Sequence, residues 1–66
     1  MIERVSCEGE RVGKTEIYIV DCTPIENGKP DPNRTVRIET HISDLKDKVK
    51  EEFGCDYMDY KTREPH

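Results

Sequence analysis

Four residues of this chain are of the types that bind zinc: Cys7, Cys22, Cys55 and His41. Zinc accepts thiolate and imidazole ligands in a tetrahedral set, and structural sites usually supply them in pairs separated by about two to four residues. Every spacing within this set is wider. The sequence therefore predicts buried thiols, no metal site and no cofactor, with a small metal-stabilised domain as an alternative interpretation.

The segment GERVGKT (9–15) ends in Gly-Lys-Thr, as a phosphate-binding loop does. Such a loop has four residues between its glycines, whereas this segment has three. The loop must also open a helix, whose N-terminal N–H groups help to hold the phosphate, but the residues after Thr15 have a strand pattern. A hairpin turn is predicted here, and a nucleotide site is not.

Catalytic residues are not predicted in this sequence. Nucleophilic catalysis needs a base beside the nucleophile, and the histidines are His41 at a strand end and His66 in the tail. Asp56 and Asp59 could form a carboxylate pair, but a chain of this size can hardly enclose a ligand pocket of roughly 300 Å³ or more. We therefore expect a protein that is not an enzyme.

Charge and composition also limit the function. The net charge is −4, 39% of the residues are charged, and neither sign is concentrated in one segment. The composition therefore argues against a nucleic-acid partner. The alternative is a nucleic-acid-associated regulator that uses basic residues on one face of a sheet: Arg4, Lys29, Arg34 and Arg37.

Membrane insertion and secretion are not expected. No stretch approaches the ~20 apolar residues of a membrane span, and MIERVSCEGE has no apolar signal-peptide core. The odd number of widely spaced cysteines favours reduced thiols. A soluble, cytoplasmic protein is therefore predicted.

Apolar periodicity predicts four strands and one helix. The strands are 2–8, 15–23, 35–40 and 55–61, and the second is apolar on both faces, as a central strand would be. A helix should follow Ser43 as N-cap, with Asp44 in its first position, and end at Gly54. Its apolar stripe consists of Ile42, Leu45, Val49 and Phe53.

These elements predict an α+β fold. A mainly antiparallel sheet of three to four strands packs against one α-helix, in the order ββ-loop-βαβ. Residues 1–66 form a single small domain. Residues 62–66 are expected to form a flexible tail.

The loop 24–33 contains three of the four prolines and is predicted to project. In one interpretation Asn27-Gly28 forms a type I′ turn, and its flanks extend the neighbouring strands into an arm. In the other, residues 29–33 form a short polyproline segment. Prolines lower the entropic cost of holding such a loop, so Asn27, Lys29 and Asp31 are candidate contacts for a protein partner.

The segment 55–61 is a second candidate binding surface. Asp56 and Asp59 alternate with apolar and aromatic residues, and tyrosine is enriched at protein interfaces. Met58 is expected in the core. Asp56, Tyr57, Asp59 and Tyr60 are therefore predicted to contact a protein partner, with either tyrosine as the anchor.

Two resemblances accompany this interpretation. Residues 35–54 resemble the strand-to-helix crossing of ubiquitin-like β-grasp domains in the alternation of Val36 and Ile38 and in the spacing of Leu45 and Val49. In composition and size the chain is similar to small acidic inhibitors encoded by phages and other mobile elements, anti-CRISPR proteins included. The predicted function is a non-enzymatic protein-binding module, an inhibitor or regulator that occludes its partner, with a homodimer through a sheet edge as a further expectation.

Overall fold

The computed structural model describes residues 1–63. Within them lie five strands and one α-helix, together with the 3-10 turns Pro32–Arg34 and Ile42–Asp44. The strands are β1 (Arg4–Arg11), β2 (Ile17–Glu26), β3 (Lys29–Pro30), β4 (Val36–His41) and β5 (Met58–Thr62), and the helix is α1 (Leu45–Phe53). The predicted α+β class is confirmed: a small mixed sheet accompanies a single helix.

The central strand of the sheet is β2, as its two apolar faces predict. It pairs antiparallel with β1 on one side and with β3 and β4 on the other. On the far side of β1, β5 pairs with β1 in parallel. The sheet therefore has one more strand than predicted, and one of its edges is parallel.

The parallel pairing follows from the helical crossover. Because β1 and β4 both run antiparallel to β2, they point in the same direction. A helix that follows β4 can return the chain to the end of the sheet where β4 began, so that β5 also points in this direction. The order βαβ was predictable from the sequence, but the strand beside which β5 would lie was not.

The core lies between one face of the sheet and α1. The main cluster of buried side chains is small: Val5, Cys7, Val20, Cys22, Leu45, Val49 and Cys55. Ile38, Phe53 and Met58 pack against it while remaining partly exposed. The predicted burial of all three thiols is confirmed.

The proline-rich segment begins inside the sheet rather than in a loop. Pro24 is completely buried in β2. Its carbonyl accepts the N–H of Asp31 at 3.0 Å, so the backbone polar groups of Pro24 point away from β1. Between β3 and β4 the chain lies outside the sheet. No neighbouring strand therefore needs the backbone N–H that proline lacks.

A tight turn connects β2 to β3, as the first interpretation of this segment predicts. Asn27 and Gly28 both have positive φ, 53° and 74°, which a type I′ turn requires. The Gly28 N–H donates to Oε1 of Glu3 at 2.7 Å. Because Pro24 and Ile25 are buried in β2, the exposed part of the segment 24–33 is shorter than the predicted loop.

The helix begins later than the sequence predicts. Ser43 lies in the 3-10 turn, and α1 starts at Leu45. The His41 imidazole caps this turn by accepting the N–H of Ser43. The predicted stop at Gly54 is confirmed: its N–H donates to the Lys50 carbonyl at 2.7 Å.

The end of the described chain extends β5. Thr62, which the sequence places in the tail, is the last residue of β5, and the Arg63 N–H donates to the carbonyl of Gly9 at 2.8 Å. The predicted flexible residues 64–66 lie outside the described residues. No helix in the described part of the chain is long and apolar enough to cross a membrane.

Gly9 should be indispensable because β1 and β2 approach each other very closely there. A β-carbon at this position would overlap the Ile19 carbonyl oxygen and lie 2.6 Å from the α-carbon of Val20, and backbone atoms cannot rotate away. We expect Gly9→Ala to lower the free energy of unfolding by about 3 kcal/mol. Urea unfolding followed by circular dichroism measures this.

The matched control is Gly13→Ala. Gly13 has a positive φ but no neighbouring atom within 4 Å of an added β-carbon. The substitution should therefore lower the free energy of unfolding by about 1 kcal/mol, because alanine disfavours a positive φ. Equal stability of Gly9→Ala and the parent protein would contradict the close approach of β1 and β2.

The thiols should resist modification in the folded protein. Cys7 and Cys22 are directly opposite each other and almost completely buried. The hydrogen bond between them raises the pKa of Cys22, as burial also does, and lowers the pKa of Cys7. Because reagents attack exposed thiolates, Ellman's reagent should react slowly with the native protein and rapidly with all three thiols in urea. Equal rates in both conditions would contradict the buried placement.

Candidate functional site

Tyr57 is the most exposed aromatic side chain among residues 1–63. Its side chain is 73% exposed. Its backbone is nevertheless held, because its carbonyl accepts the N–H of Val5 at 2.9 Å and the Sγ–H of Cys55 at 3.5 Å. The ring is therefore displayed to solvent from a fixed main chain, immediately before β5.

The two predicted acidic contacts lie on either side of Tyr57 and both form ion pairs. Asp56 lies 3.0 Å from Nζ of Lys50, and this hydrogen bond raises the pKa of Lys50. Asp59 lies 3.7 Å from Nε of Arg4 on the face of the sheet opposite α1. The carboxylates are engaged with different cations and do not form a pair with each other.

Tyr60 is placed differently. It lies within β5 opposite the buried Cys7 of β1, so its side chain is on the face of the sheet that forms the core, whereas Tyr57 precedes β5. The Tyr60 ring packs edge-on against that of Tyr18, with 5.9 Å between centroids, and it is only 36% exposed. The two tyrosines that the sequence predicts as one surface therefore belong to different surfaces.

The predicted contacts of the β2–β3 hairpin differ in their exposure. Asn27 and Lys29 are exposed at the hairpin tip. Asp31 is half-buried and caps the 3-10 turn, because its Oδ1 accepts the N–H of Asn33 at 3.2 Å. The first two are available to a partner, whereas the carboxylate of Asp31 already has a local structural role.

The strand register relates the hairpin to Tyr57. Ile25 of β2 lies opposite both Pro30 and Arg4, and the neighbour of Arg4, Val5, lies opposite Met58. The hairpin tip and Tyr57 are thus at the same end of the sheet but on its opposite edges. Three strand spacings separate these edges, roughly 14 Å.

Sequence reasoning missed the polar residues that fix the hairpin. Glu26 accepts a hydrogen bond from Arg34 at 2.7 Å, and this bond lowers the pKa of Glu26. Glu3 accepts the N–H of Gly28 across the same end of the sheet. No local pattern marks these contacts, because they depend on how β1, β2 and the Pro32–Arg34 turn are placed.

A chain of three polar side chains at the end of β4 was also missed. The His41 Nε2 lies 2.7 Å from Oε2 of Glu16, and its Nδ1 lies 2.8 Å from Oγ of Ser43. These residue types occur in catalytic triads. Here Nδ1 also accepts the backbone N–H of Ser43, and no pocket is present among residues 1–63, so the geometry is that of a capped turn.

The alternative metal site of the sequence analysis is not assembled within residues 1–63. No group of three or more potential metal ligands occurs there, and His41 lies on the face of the sheet opposite Cys7 and Cys22. Three of the four proposed basic contacts bind carboxylates: Arg4 pairs with Asp59, Arg34 with Glu26 and Arg37 with Asp21.

Comparisons of the chain with protein-family models, with curated proteins and with solved structures find no match.

The two tyrosines should contribute differently to stability. Tyr60→Ala removes an edge-to-face aromatic contact and partly buried area, so we expect a loss of about 2 kcal/mol in the free energy of unfolding. Tyr57→Ala should change this free energy by less than about 0.5 kcal/mol, because its ring is exposed. Urea titrations of both variants measure the difference, and equal losses would contradict the different burial of the two rings.

Proposed function

We propose that this chain is a protein-binding module whose anchor is Tyr57. It acts as a regulator or inhibitor by covering a surface of a protein partner. The Tyr57 ring enters a pocket on the partner, while Asp56 and Asp59 at its sides supply polar contacts. The hairpin tip, with Asn27 and Lys29, extends the contact at the same end of the sheet.

The observation that carries this proposal is the combination of an exposed ring and a fixed backbone. A tyrosine side chain has few rotatable bonds, so its immobilisation on binding costs little entropy. The hydrogen bond from Val5 to the Tyr57 carbonyl has already ordered the main chain. The entropic cost of ordering the main chain on binding is therefore smaller than it would be at a flexible loop.

The charge distribution around Tyr57 also suits reversible binding. Asp56 and Asp59 are exposed and paired with Lys50 and Arg4, so neither carboxylate is an isolated buried charge. Exposed ion pairs at the rim of an interface influence association rates and partner choice more than affinity. The apolar ring supplies the affinity, and the surrounding charges supply the selectivity.

The test begins with affinity capture from the native host and quantification of the captured proteins. The binding of each candidate partner is then measured directly with purified proteins by calorimetry. Tyr57→Ala should weaken binding by about 2 kcal/mol, which is roughly 30-fold in Kd. Tyr57→Phe keeps the ring and should retain most of the affinity if burial of the ring dominates.

The matched control is Ile42→Ala, which truncates another exposed apolar side chain, 38% exposed, at the start of the turn before α1. This variant should bind like the parent protein. If Tyr57→Ala captures the same proteins with unchanged affinity, the proposed surface is wrong.

A further inference from the structure

The outer edge of β4 exposes backbone groups that have no partner strand. The Ile42 N–H donates to the Glu16 carbonyl at 3.0 Å, which continues the β2–β4 ladder. Backbone groups alternate in direction along a strand, so Ile38 and Thr40 bond towards β2 while Arg37 and Glu39 point outwards. Among residues 1–63, no other strand pairs with this edge.

This edge also has little of the usual protection against pairing, because its charged residues, Arg37 and Glu39, are of opposite sign. Natural proteins often block an exposed edge with proline, lysine, a bulge or a very short strand. The strand β3, on the same side of β2, is two residues long and consists of Lys29 and Pro30. In contrast, β4 has six residues, Val36–His41, with neither lysine nor proline among them.

We propose that two copies of this chain associate through their β4 edges, antiparallel about a two-fold axis at Ile38. The two sheets become one continuous sheet, with both copies of α1 on the same face. Arg37 of each copy then lies opposite Glu39 of the other, and each of these pairs exchanges both backbone hydrogen bonds. The two Ile38 side chains meet at the axis.

The charges along β4 select this register. Outward-pointing residues must pair with outward-pointing residues, so the axis passes through a residue position, and only an axis at 38 or 39 pairs five of the six residues of β4. An axis at 39 places Glu39 against Glu39. The axis at Ile38 instead places Arg37 opposite Glu39, and does so twice.

Arg37 can make the new contact without losing its existing one. Its Nε donates to Oδ1 of Asp21 at 3.1 Å, and its side chain is 71% exposed. The two terminal nitrogens of the guanidinium remain available for a carboxylate. Arg37 would therefore bridge Asp21 of its own copy and Glu39 of the second.

Self-association is independent of the proposed partner surface. Tyr57 precedes β5, on the opposite edge of the sheet from β4. The dimer leaves the Tyr57 surface open and presents it twice. A substitution in the Tyr57 surface should therefore leave dimerisation unchanged, and a substitution in the β4 edge should leave partner binding unchanged.

Sedimentation velocity over a wide concentration range tests the proposal. The parent protein should shift from a 7.7 kDa species to twice this mass as concentration rises. Glu39→Arg places arginine opposite arginine at both pairs and should raise the Kd of the dimer about tenfold or more. A parent protein that stays monomeric throughout would overturn the proposal.

The matched control is Glu10→Arg. Glu10 and Glu39 are the two cross-strand neighbours of Ile19 and undergo the same change of charge, but Glu10 is on β1, away from the edge. Glu10→Arg should leave the dimer Kd unchanged. An equal loss of dimer in both variants would show a general effect of charge and overturn the assigned edge.

A mixing experiment tests the register. Arg37→Glu alone places glutamate opposite glutamate and should weaken the dimer as Glu39→Arg does. When the two variants are mixed in equal amounts, a heterodimer places glutamate opposite arginine at both cross-strand pairs of positions 37 and 39. This heterodimer should therefore form with nearly the affinity of the parent dimer. If folded samples of both variants remain monomeric after mixing, the register centred on Ile38 is wrong.

Discussion

The structure depends on the pairing of β2 along both of its sides. This ten-residue strand contacts β1 on one side and β3 and β4 on the other, and its buried residues form the middle of the core. β1 approaches β2 closely at Gly9, and the buried cluster consists of valines, cysteines and a single leucine, with larger side chains such as Phe53 and Met58 packing against it. A single added methyl group at Gly9 would therefore disturb the whole sheet.

Because the core is small, most of the polar and charged side chains lie on the surface of the protein. The described residues enclose no pocket, and several of their polar side chains are paired along the sheet and its ends: Asp21 with Arg37 and Arg63, Glu26 with Arg34, and His41 with Glu16. These exposed pairs contribute little to stability individually. They do fix the hairpin and the open face of the sheet, so that Tyr57 and the β4 edge are presented by an ordered surface.

Much of the fold could be predicted from local patterns. Alternation identified β2 as a central strand, Asn27-Gly28 identified the turn, and Gly54 identified the end of α1. The predicted start of α1 was wrong because Ser43, a good N-cap by type, lies in a 3-10 turn that the His41 imidazole caps, and α1 begins only after this turn, at Leu45. The length of β2 was underestimated because a buried proline is uncommon in a central strand, and Pro24 is tolerated only where β3 gives way to β4.

The sequence by itself determined the four longer strands, the presence and end of the helix, and the burial of the three cysteines, because these follow from side-chain type and periodicity over a few residues. Only the tertiary structure decided that β5 lies parallel to β1, that Tyr57 and Tyr60 occupy different surfaces, and that Arg37 and Glu39 lie on an outer edge. These properties depend on strand order and register, which bring together residues far apart in the chain. No short-range pattern specifies them.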